Sequence, residues 1–230
     1  VAMMVKYLGA DAGMVITASH NPIQWNGIKL LTHEAMAPAP DLAMGIKAAY
    51  EAGDTSYVPV SSIVQAVKDT QTHALHVKRV LDYVDVLGIS TKRFKVVIDS
   101  VNGAGCVSAA TLLSKLGCRI VHINSKPDGY FPHEPEPTEA NLTQLADEVR
   151  RQKAHIGFAQ DPDADRLAVV DENGKYIGEE YTPVLAAKYI LSKKPGVTAL
   201  NLSSSRMMDD VAARLGSRVV RTAVGEVNVV

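Results

Sequence analysis

The sequence has 230 residues, of which 47% are hydrophobic, with 24 Lys and Arg against 25 Asp and Glu. A chain of this size and apolar content can bury a core, in one large domain or in two of ordinary size. The net charge of -1 argues against the basic surface of a nucleic-acid binder and against a polybasic membrane surface, so we expect neither partner. Only two cysteines occur, which favours a reducing compartment and a cytoplasmic location.

The first third of the sequence predicts α/β structure. An apolar opening segment that ends at a glycine predicts a helix, and two apolar runs on either side of a polar loop predict strands. The predicted elements are helix 1–8, strand 13–17, loop 18–26, strand 27–31 and helical stretches at 41–53 and 61–87. A break in the pattern at residues 88–93 predicts a domain boundary near residue 90.

From Phe94 onward, strands and helices alternate, which is typical of a parallel α/β sheet with crossover helices. Strands are predicted at 94–99, 119–124, 155–159, 197–202 and 218–222, and helices at 108–116, 141–153, 182–191 and 206–215. A hairpin is predicted between 167–171 and 175–178. The chain opens without Met inside a predicted helix and stops in an apolar run, so we expect that both ends are cut from a longer sequence.

The polar loop Thr17-Ala18-Ser19-His20-Asn21-Pro22 directly follows a predicted strand, which is where open α/β sheets bind ligands. A serine there can be a nucleophile if a base, a metal or prior phosphorylation activates it. His20 can supply a proton path or a hydrogen bond. The alternative is an ordinary polar turn in which Ser and Asn bond the local backbone.

The acidic loop Asp161-Pro162-Asp163-Ala164-Asp165-Arg166 follows another apolar strand. Hard divalent cations prefer oxygen ligands, and three carboxylates at alternate positions of one loop can converge on one Mg²⁺. The loop is not an EF-hand, because the Gly and the late Glu of that motif are missing. A solvated acidic loop without a metal is the alternative.

Other polar residues are weaker candidates. The turn Asn102-Gly103-Ala104-Gly105 is either a plain tight turn or a phosphate cradle at a helix N-terminus, and it lacks the Lys-Ser/Thr of a P-loop. We expect His122, His133 and His155 to be structural or surface residues. We expect Trp25 to pack beneath the Ser19 loop.

Together, these loops resemble those of the α-D-phosphohexomutase family. The Ser19 loop with Asn26-Gly27-Ile28-Lys29 is similar to the family's phosphoserine loop, and 161–166 is similar to its metal-binding loop. The resemblance extends over essentially the whole chain and includes the segments 102–105, 131–137, 178–180 and 222–226. One departure is Pro162, where the family most often has Gly; no carboxylate is lost, so metal binding is still expected.

The resemblance implies a fold of repeated mixed-sheet α/β domains of the phosphohexomutase type, truncated at both ends. Residues 1–90 would be the C-terminal part of domain I, 91–190 domain II, and 191–230 the start of domain III. The N-terminal Arg-containing loop, the sugar-recognition loop of domain III and the fourth domain would then be missing. Turnover by this chain alone is therefore left open.

The activity implied by the resemblance interconverts hexose 6-phosphate and hexose 1-phosphate through a phosphoserine at Ser19 and a bisphosphorylated sugar. One Mg²⁺ would bind Asp161, Asp163 and Asp165, with a phosphate oxygen on Ser19 as a further ligand. Hexose 1,6-bisphosphate is the expected activator, and hexose phosphate the expected substrate.

The same resemblance implies roles for three further residues. Arg166 would orient the phosphate or the carboxylates, and His20 and Lys29 would transfer protons. Phosphoglucosamine mutase is the first choice of activity, because 201–206 and 225–230 are similar to archaeal-like members. Phosphomannomutase/phosphoglucomutase, a non-catalytic sugar-phosphate-binding pseudoenzyme and a phosphatase stay open as alternatives, as does a homo-oligomer.

Overall fold

The computed structural model describes residues 1–53, 55–225 and 228–229. Its helices are α1 (Ala2–Leu8), α2 (Pro40–Ala52), α3 (Thr72–Leu81), α4 (Val86–Ser90), α5 (Gly105–Lys115), α6 (Thr143–Gln152), α7 (Tyr181–Lys193) and α8 (Met207–Arg214). Its strands are β1 (Ala12–Ile16), β2 (Ile28–Thr32), β3 (Lys95–Asp99), β4 (Arg119–Ile123), β5 (Ile156–Gln160), β6 (Leu167–Val170), β7 (Val197–Asn201) and β8 (Arg218–Thr222). Glu226, Val227 and Val230, which belong to the C-terminal segments of the family resemblance, lie outside the described residues. No helix in the described ranges is both long and apolar enough to cross a bilayer.

A four-stranded mixed sheet in the order β4-β3-β5-β6 forms the centre of the fold. β3 pairs in parallel with both β4 and β5, and β6 runs antiparallel to β5. Parallel neighbours need a crossover connection, and α5 and α6 lie in the β3–β4 and β4–β5 connections. The expected α/β class with a mixed sheet is confirmed.

Helices cover both faces of this sheet, and β3 is buried on both sides. Val97 belongs to one core cluster with Leu145 of α6. Val96 and Ile98 belong to the other cluster, with Leu113 of α5, because alternate strand residues face opposite sides. Burial of each such side chain contributes about 1.5–3 kcal/mol. The core thus fixes the end of the strand from which the 102–105 turn begins.

Two smaller sheets flank the central one. β1 and β2 are antiparallel, with Val15 opposite Lys29, and β7 and β8 are parallel. α1 packs closely on β1, since a Cβ at Gly13 would lie 2.6 Å from Val5 Cγ2. The loop that carries Ser19 joins β1 to β2, so these two strands hold both of its ends.

The predicted helical stretch 61–87 is wrong in its first part. Residues 63–70 are not helical, and α3 begins only at Thr72. Asp69 explains this start, because its Oδ1 accepts hydrogen bonds from the backbone N–H of Gln71 at 2.9 Å and of Thr72 at 2.8 Å. A carboxylate that binds such unpaired amides favours helix initiation at that point.

The predicted break at 88–93 is also partly wrong, because α4 extends through Ser90. Asp85 caps this short helix by accepting a 2.8 Å hydrogen bond from the Gly88 N–H. The chain therefore reaches β3 through a helical turn.

The predicted hairpin is shorter than expected. β6 forms, but the 175–178 arm contributes a single bridge, between Tyr176 and Val170. Asp171 holds the turn, since its Oδ1 accepts hydrogen bonds from the N–H groups of Asn173 and Lys175 at 2.9 and 2.8 Å.

Candidate active site

Ser19 lies at the tip of a loop that the local sequence holds in one shape. Its φ of 54° is in the left-handed region, which is strained for a residue with a side chain. The Ser19 N–H donates to Thr17 Oγ1 at 2.8 Å, and the Thr17 N–H donates to the Gly27 carbonyl at 3.0 Å across the loop's base. A Cβ at Gly27 would lie 3.0 Å from the Thr17 carbonyl oxygen, so glycine permits this closure. The loop therefore presents the Ser19 hydroxyl in a defined position.

The acidic loop after β5 brings its three carboxylates together. One ligand oxygen from each of Asp161, Asp163 and Asp165 lies within 4.8 Å of the others. Asp161 is fully buried and accepts a 3.0 Å hydrogen bond from the Arg166 N–H. Asp163 Oδ1 is also buried and has no hydrogen-bond partner among the described residues. Buried carboxylate oxygens need a partner, so this set can hold a divalent cation.

The Ser19 loop and the acidic loop meet directly. Ser19 Oγ donates to Asp161 Oδ2 at 3.3 Å, and Thr17 Oγ1 donates to Asp163 Oδ2 at 3.0 Å. Lys29 Nζ, on β2, lies 3.4 Å from Asp163 Oδ2 and 3.3 Å from Asp165 Oδ2. A serine hydroxyl, a cation-binding carboxylate set and an ammonium group thus share one small volume.

Burial and like charge shift the pKa values of these groups. Burial, together with the charges of Asp163 and Asp165, raises the pKa of Asp161 to about 7. Burial opposes ionisation of Asp163 as well, but hydrogen bonds from Thr17 and neighbouring groups and the charge of Lys29 lower its pKa. Burial opposes protonation of Lys29, yet the adjacent carboxylates raise its pKa, so it is an ammonium at neutral pH.

His20 and Arg166 lie beside this centre and face one carboxylate. His20 Nδ1 is 3.3 Å from Ser19 Oγ, and its Nε2 is 3.9 Å from Glu136 Oε1. Arg166 Nη1 is 3.8 Å from the same Glu136 oxygen. The sequence pattern predicts no role for Glu136. The available signal was a carboxylate between two prolines in a long loop, which gives no indication of what it contacts.

The seven residues that the sequence and the family resemblance predict as catalytic or metal-binding therefore lie together in the structure. They are Ser19, His20, Lys29, Asp161, Asp163, Asp165 and Arg166.

The turn 102–105 packs against the acidic loop. The Ala104 N–H donates to the Pro162 carbonyl at 2.8 Å, and a Cβ at Gly103 would lie 2.5 Å from that oxygen. Since Ala104 already bonds protein, the contacts favour the tight-turn interpretation over a phosphate cradle. Glycine at position 103 is needed for this close approach of its backbone to that of Pro162.

The sequence predicts that His122 and His133 are structural or surface residues and that Trp25 packs beneath the Ser19 loop. His133 Nε2 donates to Asp99 Oδ2 at 3.0 Å, and His122 Nε2 lies 2.9 Å from Ser100 Oγ, so both histidines have structural partners. Trp25 is 63% exposed, so the expectation that it packs beneath the Ser19 loop is wrong. The loop is closed by backbone hydrogen bonds and does not need an aromatic side chain below it.

Three family models match the sequence in order. They describe phosphoglucomutase/phosphomannomutase alpha/beta/alpha domain I at residues 1–57, domain II at 74–174 and domain III at 178–230. With the mixed α/β fold and the paired serine and acidic loops, these matches show that the chain belongs to the phosphoglucomutase/phosphomannomutase family of α-D-phosphohexomutases.

Curated relatives agree with this membership. The chain is 39% identical over 96% of its length to a protein of Methanopyrus kandleri named "Probable phosphoglucosamine mutase", and covers 48% of that protein. It is 37% identical over 96% of its length to a Thermococcus kodakarensis protein named "Phosphoglucomutase/phosphomannomutase", and covers 49% of it. The chain thus spans about half the length of the curated relatives that it matches.

A solved structure shares the fold. The X-ray structure of a phosphoglucomutase/phosphomannomutase family protein from Burkholderia thailandensis matches 99% of this chain, with a TM-score of 0.80 and 25% sequence identity. The chain covers 51% of that structure.

Proposed function

We propose that this chain forms the phosphoserine and metal-binding parts of a phosphohexomutase that interconverts hexose 6-phosphate and hexose 1-phosphate. The observation that carries the proposal is the 3.3 Å contact between Ser19 Oγ and Asp161 Oδ2. It joins a strained, half-buried serine at a loop tip to a carboxylate set suited to a divalent cation. That pairing fits transfer of a phosphoryl group at the serine oxygen.

The proposed reaction moves a phosphoryl group from phosphorylated Ser19 to a hydroxyl of a hexose monophosphate. The bond from Oγ to phosphorus breaks, a bond from phosphorus to the sugar oxygen forms, and one proton passes from the sugar hydroxyl to Oγ. The 3.3 Å distance from His20 Nδ1 to Oγ supports His20 as the residue that delivers this proton. The resulting sugar bisphosphate returns its other phosphoryl group to Ser19 after reorientation.

The carboxylates and Lys29 balance charge in this proposal. Asp161, Asp163 and Asp165 would hold one Mg²⁺, and Asp163 Oδ1, which has no hydrogen-bond partner in the described part of the chain, supports that fit. When bound, Mg²⁺ supplies positive charge that offsets the negative charge of the transferring group. Lys29, with its raised pKa, contributes a second positive charge and suits proton donation better than proton abstraction.

Glucosamine phosphate is the proposed substrate, because the Methanopyrus kandleri relative carries the name of a phosphoglucosamine mutase. The Thermococcus kodakarensis relative, at 37% identity, favours mannose and glucose phosphates as the second choice.

We also propose that the chain divides near residues 90 and 190. The separate sheets at 12–32, 95–170 and 197–222 support that division.

The test is intact mass and phosphopeptide mapping after incubation with hexose 1,6-bisphosphate and Mg²⁺, with Ser19→Ala as the control. We expect one phosphoryl group on Ser19, none on the variant, and transfer to glucosamine monophosphate that EDTA abolishes. Turnover is then compared in the full-length protein that contains this chain, with glucosamine, mannose and glucose phosphates. Undiminished turnover of Ser19→Ala would contradict the proposal, and Mg²⁺ binding without Ser19 phosphorylation in the full-length protein would indicate a non-catalytic binder.

A further inference from the structure

The long proline-rich loop at 126–137 brings Glu136 to the edge of the active site. Its Oε1 is 3.9 Å from His20 Nε2 and 3.8 Å from Arg166 Nη1. His20 follows Ser19 directly, and Arg166 follows the last aspartate of the acidic loop. One carboxylate oxygen therefore faces a cationic or protonatable group on each of the two loops that build the site.

The backbone around Glu136 is unusually well fixed for a loop. Pro135 and Pro137, on either side, are buried, and each has a restricted φ. The Glu136 carbonyl accepts hydrogen bonds from the Thr138 N–H at 2.8 Å and from Asn141 Nδ2 at 2.9 Å. The side chain is 48% exposed, so burial does not explain why a carboxylate stands here.

A second anchor lies three residues earlier. His133 Nε2 is 3.0 Å from Asp99 Oδ2, and Asp99 is only 1% exposed at the end of β3. The loop is thereby attached to the central sheet, while Glu136 itself projects toward the Ser19 loop. A rigid backbone that carries a half-exposed carboxylate is the arrangement expected for a group that orients other side chains.

The contacts indicate what Glu136 orients. The His20 ring is held between Ser19 Oγ on its Nδ1 side, at 3.3 Å, and Glu136 on its Nε2 side. At 3.9 Å this carboxylate is too far from Nε2 for a hydrogen bond, but its charge favours the ring orientation that keeps Nε2 toward Glu136 and Nδ1 toward Ser19 Oγ. The same carboxylate oxygen lies 3.8 Å from Arg166 Nη1, so its charge attracts the guanidinium and favours its position beside the site.

We infer that Glu136 is a positioning residue, which sets His20 and Arg166 relative to Ser19 from a loop anchored on the central sheet. This inference rests on the proposed function, because its effect is on phosphoryl transfer at Ser19. Orientation acts on the transfer step more than on substrate binding, since a displaced group lowers the rate of the bound complex.

The test compares Glu136→Gln and Glu136→Ala with wild type in the full-length protein, with Glu139→Gln as the matched control. Glu139 is exposed and lies three residues along the chain, so the control removes the same charge outside the His20–Arg166 contact. For Glu136→Gln we expect kcat about tenfold lower, KM within about twofold, and an unchanged melting temperature. Glu136→Ala, which lacks an acceptor oxygen, should lose more, and Glu139→Gln should match wild type.

An unchanged kcat in Glu136→Ala would overturn the inference, as would a change confined to KM, which would indicate direct contact with substrate. Mg²⁺ affinity, measured by calorimetry, should be within about twofold of wild type in Glu136→Gln. Failure of the proposed function is recognised separately, because Ser19→Ala would then remain active whatever the result at Glu136.

Discussion

Ser19 Oγ donates a 3.3 Å hydrogen bond to Asp161 Oδ2 although 142 positions separate the two residues in the sequence. The contact joins the hairpin β1–β2 to the end of β5 in the central sheet. Each loop alone is a common kind of polar segment. Their contact is what makes them a candidate site.

Asp161→Asn should weaken Mg²⁺ binding and stabilise the metal-free protein. The substitution removes one of the three carboxylates that are proposed to bind the cation, so we expect at least about a tenfold loss of affinity by calorimetry. It also removes a fully buried charge that faces Asp163, which should raise the unfolding free energy without metal by about 2 kcal/mol.

The matched control for that prediction is Asp171→Asn, which changes the charge of an exposed turn outside the acidic loop. Asp171 holds its own turn through backbone hydrogen bonds, so a small loss of stability with unchanged Mg²⁺ affinity is expected. Equal Mg²⁺ affinity in wild type and Asp161→Asn would show that the carboxylates do not form the cation site.

Gly103→Ala should disturb the acidic loop from beneath. The new Cβ would lie 2.5 Å from the Pro162 carbonyl oxygen and 2.8 Å from its Cα, which are backbone atoms that cannot rotate away. We expect a loss of about 2 kcal/mol in urea unfolding and a weaker Mg²⁺ affinity. Gly45→Ala is the control: nothing lies within 4 Å of its Cβ in the middle of α2, and it should stabilise by about 0.5–1 kcal/mol. A neutral Gly103→Ala would mean that the acidic loop is free to move.

Thr17→Val should slow phosphorylation of Ser19. The threonine hydroxyl donates to Asp163 Oδ2 and accepts from the Ser19 N–H, so its removal leaves the Ser19 amide without this partner and Asp163 Oδ2 with Lys29 alone. A stability loss of about 1–3 kcal/mol is expected in chemical denaturation, with slower incorporation of phosphate from hexose 1,6-bisphosphate. Thr17→Ser keeps the hydroxyl and should behave as wild type. If both variants lost the same activity, packing of the methyl group would be responsible instead.

His133→Gln should destabilise the protein more at acid pH than at alkaline pH. The hydrogen bond that His133 donates to Asp99, with a smaller contribution from the Glu134 backbone, raises the pKa of His133 above its ordinary value despite burial. The protonated pair therefore stabilises the folded state fully below about pH 6.5, the unfolded value, and this stabilisation is lost as pH rises through the folded pKa.

Urea unfolding at about pH 5.5 and about pH 8.5 measures that difference, with exposed His73→Gln as the control. Loss of a hydrogen bond to a charged group predicts about 2 kcal/mol at the lower pH and less at the higher one. A penalty that is constant or grows with pH would show that His133 is neutral in the folded protein.

The sequence pattern was sufficient to predict the Ser19 loop and the acidic loop as candidate site loops, because each directly follows a strand with a clear apolar pattern. β1 and β5 place Ser19 and Asp161 at strand ends, and the α/β alternation predicts that such ends carry ligands. Local pattern also predicts the helices of the central domain within a few residues.

The sequence pattern does not predict contacts between residues that are far apart along the chain. Glu136 belongs to a loop without regular structure, and its partners His20 and Arg166 are set by how two sheets pack. The helix prediction for residues 63–70 was wrong for a related reason. Its valines look like a helix face, but they are exposed in the structure, and Asp69 starts the helix only afterwards.

The close approach of the Ser19 hairpin to the central sheet has a consequence for experiments on denaturation. The hairpin sheet has two strands and little buried surface, whereas β3 lies in the middle of a packed core. Partial unfolding should therefore separate Ser19 from Asp161 while most helical circular dichroism persists. Phosphate incorporation at Ser19 would then decline at lower urea than ellipticity, which makes the label a sensitive reporter of sample integrity.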